Sequence, residues 1–125
     1  MTTNAQREIS VNQFEGIIQS HETVVVKIGE YGCPPCRRYD RMVIELMDEF
    51  SGKVEFVCID GDTIPHGSEE SRSFKRAVGP YTGVPYITIF KNGERTEGIL
   101  GFRDNTELRE AINRVLCDSN DKQNN

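Results

Sequence analysis

Two stretches of the chain are nearly continuous in apolar and β-branched residues, and they constrain the fold more than any other feature. Residues 23–30 read TVVVKIGE and residues 53–60 read KVEFVCID. Strands of this composition are typical of a sheet that is covered on both faces. Between them, apolar residues recur at the spacing of an amphipathic helix, at Tyr39, Met42, Val43, Leu46, Met47 and Phe50. A strand, a helix and a strand in this order predict a parallel pair joined by a right-handed crossover.

The remaining elements extend this unit on both sides. Capping residues and apolar periodicity predict three further helices, over residues 11–20, 68–78 and 104–116. YITIF at 86–90, the turn sequence KNGE and then RTEGIL predict an antiparallel hairpin. With a short first strand, the order is β-α-β-α-β-α-β-β-α. This order predicts an α/β fold with a mixed sheet in one domain over 1–116, followed by a polar tail over 117–125 that we expect to be disordered.

Composition narrows the classes of function. The 125 residues suffice for one domain, and the net charge of -5 gives no electrostatic support for a nucleic-acid partner. No run of about 18 apolar residues is present, so we expect no membrane span. The first residues, MTTNAQREIS, lack the apolar segment of a secretory signal. We therefore expect a cytoplasmic protein.

The four cysteines are Cys33, Cys36, Cys58 and Cys117, and the first two form the sequence CPPC. A structural zinc site usually takes two such close pairs, and neither of the two histidines has ligand spacing to the cysteines. We therefore expect no metal and no other cofactor. Cys58 fits a small buried core residue, and Cys117 fits a free exposed thiol, with a regulatory or dimer-forming role left open.

The CPPC pair lies where a strand passes into a helix, with Cys33 at the cap and Pro34 at the first helical position. Helix N–H groups and the helix dipole stabilise a thiolate there, and Arg37 and Arg38 add positive charge. Cys36 is then placed to close a small disulfide. The alternative is a structural disulfide or two inert thiols, but a bridge across so short a loop gains little stability. The pattern favours a redox-active pair.

Several motifs in a fixed order carry a family resemblance. They are the strand VVVKIGE, CPPC at the start of a helix, Gly83-Val84-Pro85 before a strand, FKNGE at the hairpin and Gly101 after it. In this order and spacing they resemble the thioredoxin family over about residues 7–116. The resemblance implies the thioredoxin fold, a central mixed sheet of four to five strands flanked by helices.

The resemblance also implies roles for the matching residues. Cys33 would be the nucleophile, Cys36 the resolving thiol and Pro85 a cis-proline facing them, although the residues alone fit a trans proline equally well. An extended substrate segment would contact the residues Tyr31, Gly32, Gly83, Val84 and Gly101. The implied partners are disulfide-containing proteins and a thioredoxin reductase-type electron donor, and we expect a monomer.

Three departures from the family pattern bear on redox tuning. The chain has no tryptophan before Cys33 and offers Tyr31 there. Pro34, followed by Pro35, stands where the family usually has glycine. Lys27 stands six residues before Cys33, where the family usually has a buried acid. Its ammonium would lower the thiol pKa values if it approaches the cysteines, or it reaches the rim and has little effect. Glu30 is a candidate for the missing acid.

The leading interpretation is a dithiol–disulfide oxidoreductase that reduces protein disulfides. One alternative is a glutaredoxin-like or oxidising exchange, since Cys-Pro-x-Cys resembles glutaredoxin. Another is a non-catalytic binding module, or a dimer that shares an iron–sulfur cluster through its cysteine pairs. The loop over 61–70 is longer than usual for the family and fits a partner surface or a tolerated insertion.

Overall fold

The computed structural model describes residues 6–102 and 104–123, with side chains described as far as residue 117. Within these residues there are five strands: β1 (Arg7–Glu8), β2 (Thr23–Gly29), β3 (Glu55–Asp60), β4 (Tyr86–Lys91) and β5 (Glu94–Leu100). The four α-helices there are α1 (Val11–Ser20), α2 (Pro34–Glu49), α3 (Glu69–Val78) and α4 (Asn105–Gln123). The element order is the one predicted from the sequence.

The strands form one mixed sheet in the order β1-β3-β2-β4-β5. The pairs β1–β3 and β2–β3 are parallel, whereas β2–β4 and β4–β5 are antiparallel. The β4–β5 pair is antiparallel because the chain reverses at the Asn92-Gly93 turn, where both residues have positive φ as a tight hairpin requires. The α/β fold with a mixed sheet is therefore confirmed, with five strands.

The sheet separates two apolar layers. On one face, α1 and α3 pack around Phe14 and Phe74, whose rings meet edge to face at 4.9 Å. On the other face, α2 and α4 pack through residues such as Val43 and Leu108. Every residue of β2 is buried because this strand is central and covered on both faces. That double cover is the physical reason for its continuous apolar pattern.

The last helix is longer than the sequence predicted. The sequence predicts an end near residue 116 and a disordered tail over 117–125, but α4 continues to Gln123. No glycine or proline interrupts this segment, and polar residues are compatible with the solvated side of a helix. Residues 124 and 125 lie outside the described residues.

The segment 61–70 also contains structure that the sequence did not predict. It opens with a short 3-10 helix (Gly61–Thr63), and Ile64 behind it is buried in the α1/α3 layer. The apolar contact of Ile64 anchors this segment to the core. Among the described residues, no helix is long and apolar enough to cross a membrane.

Candidate active site at the start of the second helix

Cys33 and Cys36 lie at disulfide distance where the chain passes from β2 into α2, and their Cα atoms are 5.2 Å apart. Cys33 is the N-cap of α2, and its sulfur accepts a hydrogen bond of 3.2 Å from the backbone N–H of Cys36. Cys33 is partly exposed, whereas only 2% of Cys36 is accessible. The two sulfurs are thus inequivalent: Cys33 is open to a partner, and Cys36 lies behind it.

The two prolines limit how many donors reach the Cys33 sulfur. Pro34 and Pro35 occupy the first two positions of α2, and neither has a backbone N–H. An N-cap side chain usually accepts from the second or third helical residue, so Cys36 is the donor left at these positions. A Cys33 thiolate keeps the favourable end of the helix dipole but has fewer hydrogen bonds than an ordinary N-cap offers.

The strand register brings the other predicted residues to the same end of the sheet. Ile28 pairs with Tyr86, and Tyr86 pairs with Leu100. Pro85 and Gly101 are the chain neighbours of these paired residues, so they lie at the end of the sheet where β2 turns toward the cysteines. The Val84–Pro85 peptide bond is cis, the isomer that the family resemblance implies.

Two large apolar side chains are exposed at the cysteine end of the sheet. Tyr31 is 94% exposed and Leu100 is 50% exposed, and both are among the most exposed large apolar side chains. Gly32 has a φ of 80°, so the chain turns sharply between Tyr31 and Cys33. An exposed aromatic side chain next to a reactive disulfide offers a partner protein apolar area at low entropic cost. The substrate-contact roles of Tyr31, Gly32, Gly83, Val84 and Gly101 stay predictions.

Lys27 does not reach the rim. It is 7% exposed, and its Nζ lies 2.9 Å from Asp40 Oδ1 in an ion pair. A methyl group built on Gly29 would lie 2.8 Å from Lys27 Nζ and 3.3 Å from Cys36 Sγ. The ammonium and the Cys36 sulfur are therefore separated by at most the sum of these distances, about 6 Å. The alternative in which Lys27 extends to solvent is wrong.

Asp40 is the residue that the sequence interpretation missed. It lies one turn after Cys36 on α2, and the same oxygen that binds Lys27 also accepts a hydrogen bond of 2.8 Å from Gln6 Nε2. Its only sequence signal is an acid at i+4 from Cys36, which is ordinary on a helix surface. Glu30, the candidate replacement acid, is exposed at the end of β2.

Cys58 lies beside Lys27 because the two residues pair across β2 and β3. It is half-buried rather than fully buried as the sequence suggested. Burial raises the pKa of Cys58 to about 11, against the lowering effect of the Lys27 charge. Cys58 therefore stays a thiol at neutral pH, while Cys117 is a free, exposed cysteine as predicted. No group of three or more His, Cys, Asp or Glu side chains that could hold a metal is found in the described part of the chain.

Comparison with known proteins agrees with this arrangement. The family model for thioredoxin matches residues 5–114. The chain belongs to the thioredoxin family. Among curated proteins, it is 30% identical to thioredoxin M3 from chloroplasts of rice (Oryza sativa subsp. japonica), over 84% of this chain and 55% of that protein. It is 26% identical to a thioredoxin of Synechocystis, over 82% of this chain and 88% of that protein. The chain spans about half the length of the chloroplast thioredoxins it matches.

Solved thioredoxins share the fold at lower identity. Mitochondrial thioredoxin 3 from Saccharomyces cerevisiae, in its oxidized form, superimposes with a TM-score of 0.70 and 21% identity, covering 87% of this chain and 94% of that one. Plasmodium falciparum thioredoxin gives 0.69 and 25% identity, covering 86% and 97%. The chain therefore has the thioredoxin fold.

Proposed function

We propose that the protein reduces disulfides in other proteins and is returned to the dithiol state by a thioredoxin reductase-type donor. The observation that carries this proposal is the difference between the two sulfurs: Cys33 is accessible at a helix N-cap, and Cys36 is buried behind it. An exposed thiolate attacks a partner, and a buried thiol next to it can react only with the bond that the first one forms.

The reaction consists of two exchanges. The Cys33 thiolate attacks one sulfur of the partner disulfide, so that a mixed disulfide forms and the other partner sulfur leaves as a thiolate. The Cys36 thiolate then attacks Cys33 Sγ and releases the second partner sulfur, which takes a proton from water. The partner gains two electrons as two thiols, and Cys33 and Cys36 lose two electrons as a disulfide. Proximity makes the second exchange fast, because both sulfurs are held on one helical turn.

The surface around the pair supports a protein rather than a small-molecule substrate. Tyr31 and Leu100 are exposed at the cysteine end of the sheet, where the β4 entry at Val84-Pro85 also lies. An extended peptide segment fits such an open face. We also propose that the protein is a monomer and that it is cytoplasmic. The location follows from the proposed activity, because a disulfide reductase finds its electron donor in a reducing compartment.

The test is reduction of a protein disulfide with NADPH and a thioredoxin reductase, compared with glutathione as the donor. We expect turnover with the reductase, its loss in Cys33→Ser, and a trapped mixed disulfide in Cys36→Ser. Turnover with glutathione alone would instead support the glutaredoxin-like alternative. A reduction potential as high as that of oxidising members of the fold, about -120 mV, would contradict the reductase assignment.

A further inference from the structure

Lys27 is an unusual residue for the centre of a sheet. It lies on β2 with 7% exposure, and it shares the α2 side of the sheet with the fully buried Val25. A lysine is almost never this buried unless it is paired, because its ammonium loses hydration. Its nearest polar partner is Asp40, at 2.9 Å. This pair lies directly behind Cys36, within about 6 Å of its sulfur on the ammonium side.

The two halves of the pair are shielded differently. The Lys27 side chain is 9% exposed, whereas the Asp40 side chain is 44% exposed. Water screens the field of the carboxylate more strongly than the field of the buried ammonium. The ammonium is therefore the less screened charge of the pair, and Asp40 only partly offsets its attraction for a Cys36 thiolate.

We propose that the Lys27–Asp40 ion pair stabilises the Cys36 thiolate during resolution of the mixed disulfide. Lys27 supplies the positive charge. Asp40 is the positioning residue that holds the ammonium in place and partly offsets its charge. This deepens the proposed function and rests on it. Lys27 acts through its field and keeps its proton. Cys36 loses its proton to water, its thiolate attacks Cys33 Sγ, and the partner sulfur leaves and is protonated by water.

Two further acids, on β1 and β3, lie near the pair, and two neutral side chains contact it. Glu8 on β1 and Asp60 on β3 act with Asp40 on the neighbouring Cys58 thiol and oppose the Lys27 charge there. Tyr39 on α2 places its ring 5.9 Å from Lys27 Nζ, so its negative face adds to the hold on the ammonium. Gln6 donates to Asp40 and keeps the carboxylate oriented.

The test measures ionisation of Cys36 alone. In a Cys33→Ser background, NMR of Cys labelled with ¹³C at Cβ follows Cys36 against pH, resolved from Cys58 and Cys117. Lys27→Met removes the charge and keeps the apolar stem. We expect it to lower the acid dissociation constant of Cys36 roughly tenfold. Asp40→Asn keeps an acceptor for Lys27 and Gln6 and removes the negative charge. We expect it to raise that constant about threefold.

A matched control exists at the far end of the sheet. Lys91 is also a buried lysine, 8% exposed, and pairs with Glu22 at 2.8 Å. It sits opposite Thr23, at the other end of β2 from Cys36. Lys91→Met imposes a similar structural loss and should leave Cys36 ionisation unchanged.

Shifts of the Cys36 acid dissociation constant in opposite directions in Lys27→Met and Asp40→Asn support the proposal. A purely structural role would shift that constant in the same direction in both variants. Shifts of the same sign, or shifts no larger than that of Lys91→Met, overturn it. In the chain with both cysteines, single-turnover release of the partner thiol should slow in Lys27→Met. The ionisation measurement needs no turnover. An inactive wild type would therefore contradict the proposed function, but the effect of Lys27 on Cys36 ionisation could still be measured.

Discussion

At the scale of single residues, the chemistry of the site depends on which backbone N–H groups reach the Cys33 sulfur. In an ordinary N-cap, donors come from the second and third residues of the helix. Here the second residue is Pro35, so Cys36 supplies the one hydrogen bond seen, at 3.2 Å. Pro34, at the first position, removes a donor that an N-cap side chain seldom uses. The two prolines are therefore expected to differ in their effect on the thiolate.

We predict that Pro35→Ala lowers the pKa of Cys33 by about one unit, because the new N–H donates to the thiolate and a hydrogen bond to a charged group stabilises it by about 1.5 kcal/mol. The reduced form is then favoured, and the reduction potential rises by about 30 mV. Pro34→Ala is the matched control and should change both quantities much less. Thiolate absorbance against pH and equilibration with glutathione measure them. A larger effect of Pro34→Ala would mean that the sulfur faces the first helical position.

The residues of the site differ in how far the sequence could predict them. Cys33, Cys36 and Pro85 lie in local motifs, and such motifs can be recognised in the sequence without knowledge of the packing. Lys27 was recognisable as a departure, but its burial was not, because a long side chain reaches either solvent or the interior. Asp40 had no distinguishing signal at all. Its contact with Lys27 arises from the way α2 crosses β2, which is a property of tertiary packing.

At the scale of elements, α2 carries its charges against its own dipole. Its N-terminal half holds Arg37, Arg38 and Arg41, all exposed, and its C-terminal half holds acids. Helix α3 has the favourable order instead, with Glu69 in the first turn and its basic residues in the last. Among the described residues, no ion pair is found for the three α2 arginines, whereas Arg72 on α3 pairs with Glu69 at 2.9 Å. The α2 arginines are therefore not placed for helix stability.

We predict that the triple variant Arg37→Gln, Arg38→Gln, Arg41→Gln keeps its stability or gains a few tenths of a kcal/mol, because it removes charges that oppose the helix dipole. The pKa of Cys33 should rise, since positive charge near the thiolate is lost, and the rise should shrink at high salt. Urea unfolding and thiolate titration measure the two effects. Arg72→Gln, which breaks an α3 pair, should leave Cys33 unchanged. A loss of more than about 1 kcal/mol in the triple variant would show that these arginines stabilise the fold.

Helices and strands were predicted well where periodicity was strong and poorly at their ends. The buried strand β2 and the stripe of α2 have one consistent pattern each, so both were placed within a few residues. The end of α4 was wrong because the segment after Leu116 is polar and contains no stop signal. A polar composition is typical of a disordered tail and of a solvated helix alike, so it does not distinguish them.

At the scale of the whole molecule, the strand order brings the candidate site residues to one end of the sheet. The antiparallel β4 lies beside the parallel pair β2–β3, so the end of β2 and the start of β4 are neighbours. This brings the cysteine turn and the cis-proline together from parts of the chain about fifty residues apart. The sequence predicted the two motifs and the mixed sheet. Their meeting follows from strand order, which the family resemblance supplied and local patterns did not.

Cys58, on β3 of the same sheet, makes the free energy of unfolding depend on pH in the alkaline range. The pKa of Cys58 is raised from 9.0 to about 11, mainly by burial, so between these values the folded state binds more protons than the unfolded state. The free energy of unfolding then falls as the pH rises from 9 to 11. Since Cys58 is only partly buried, this contribution is about 1 kcal/mol.

The variant Cys58→Val cannot ionise at this position. It should lose less stability over that range than the parent chain, measured by urea unfolding of the oxidised protein at pH 8 and pH 10.5. Cys117→Ser removes an exposed thiol and serves as the control, with a pH dependence equal to that of the parent. If Cys58→Val and the parent lost stability in parallel, Cys58 would ionise as readily in the folded chain as in the unfolded one, and the Lys27 charge beside it would have to outweigh its burial.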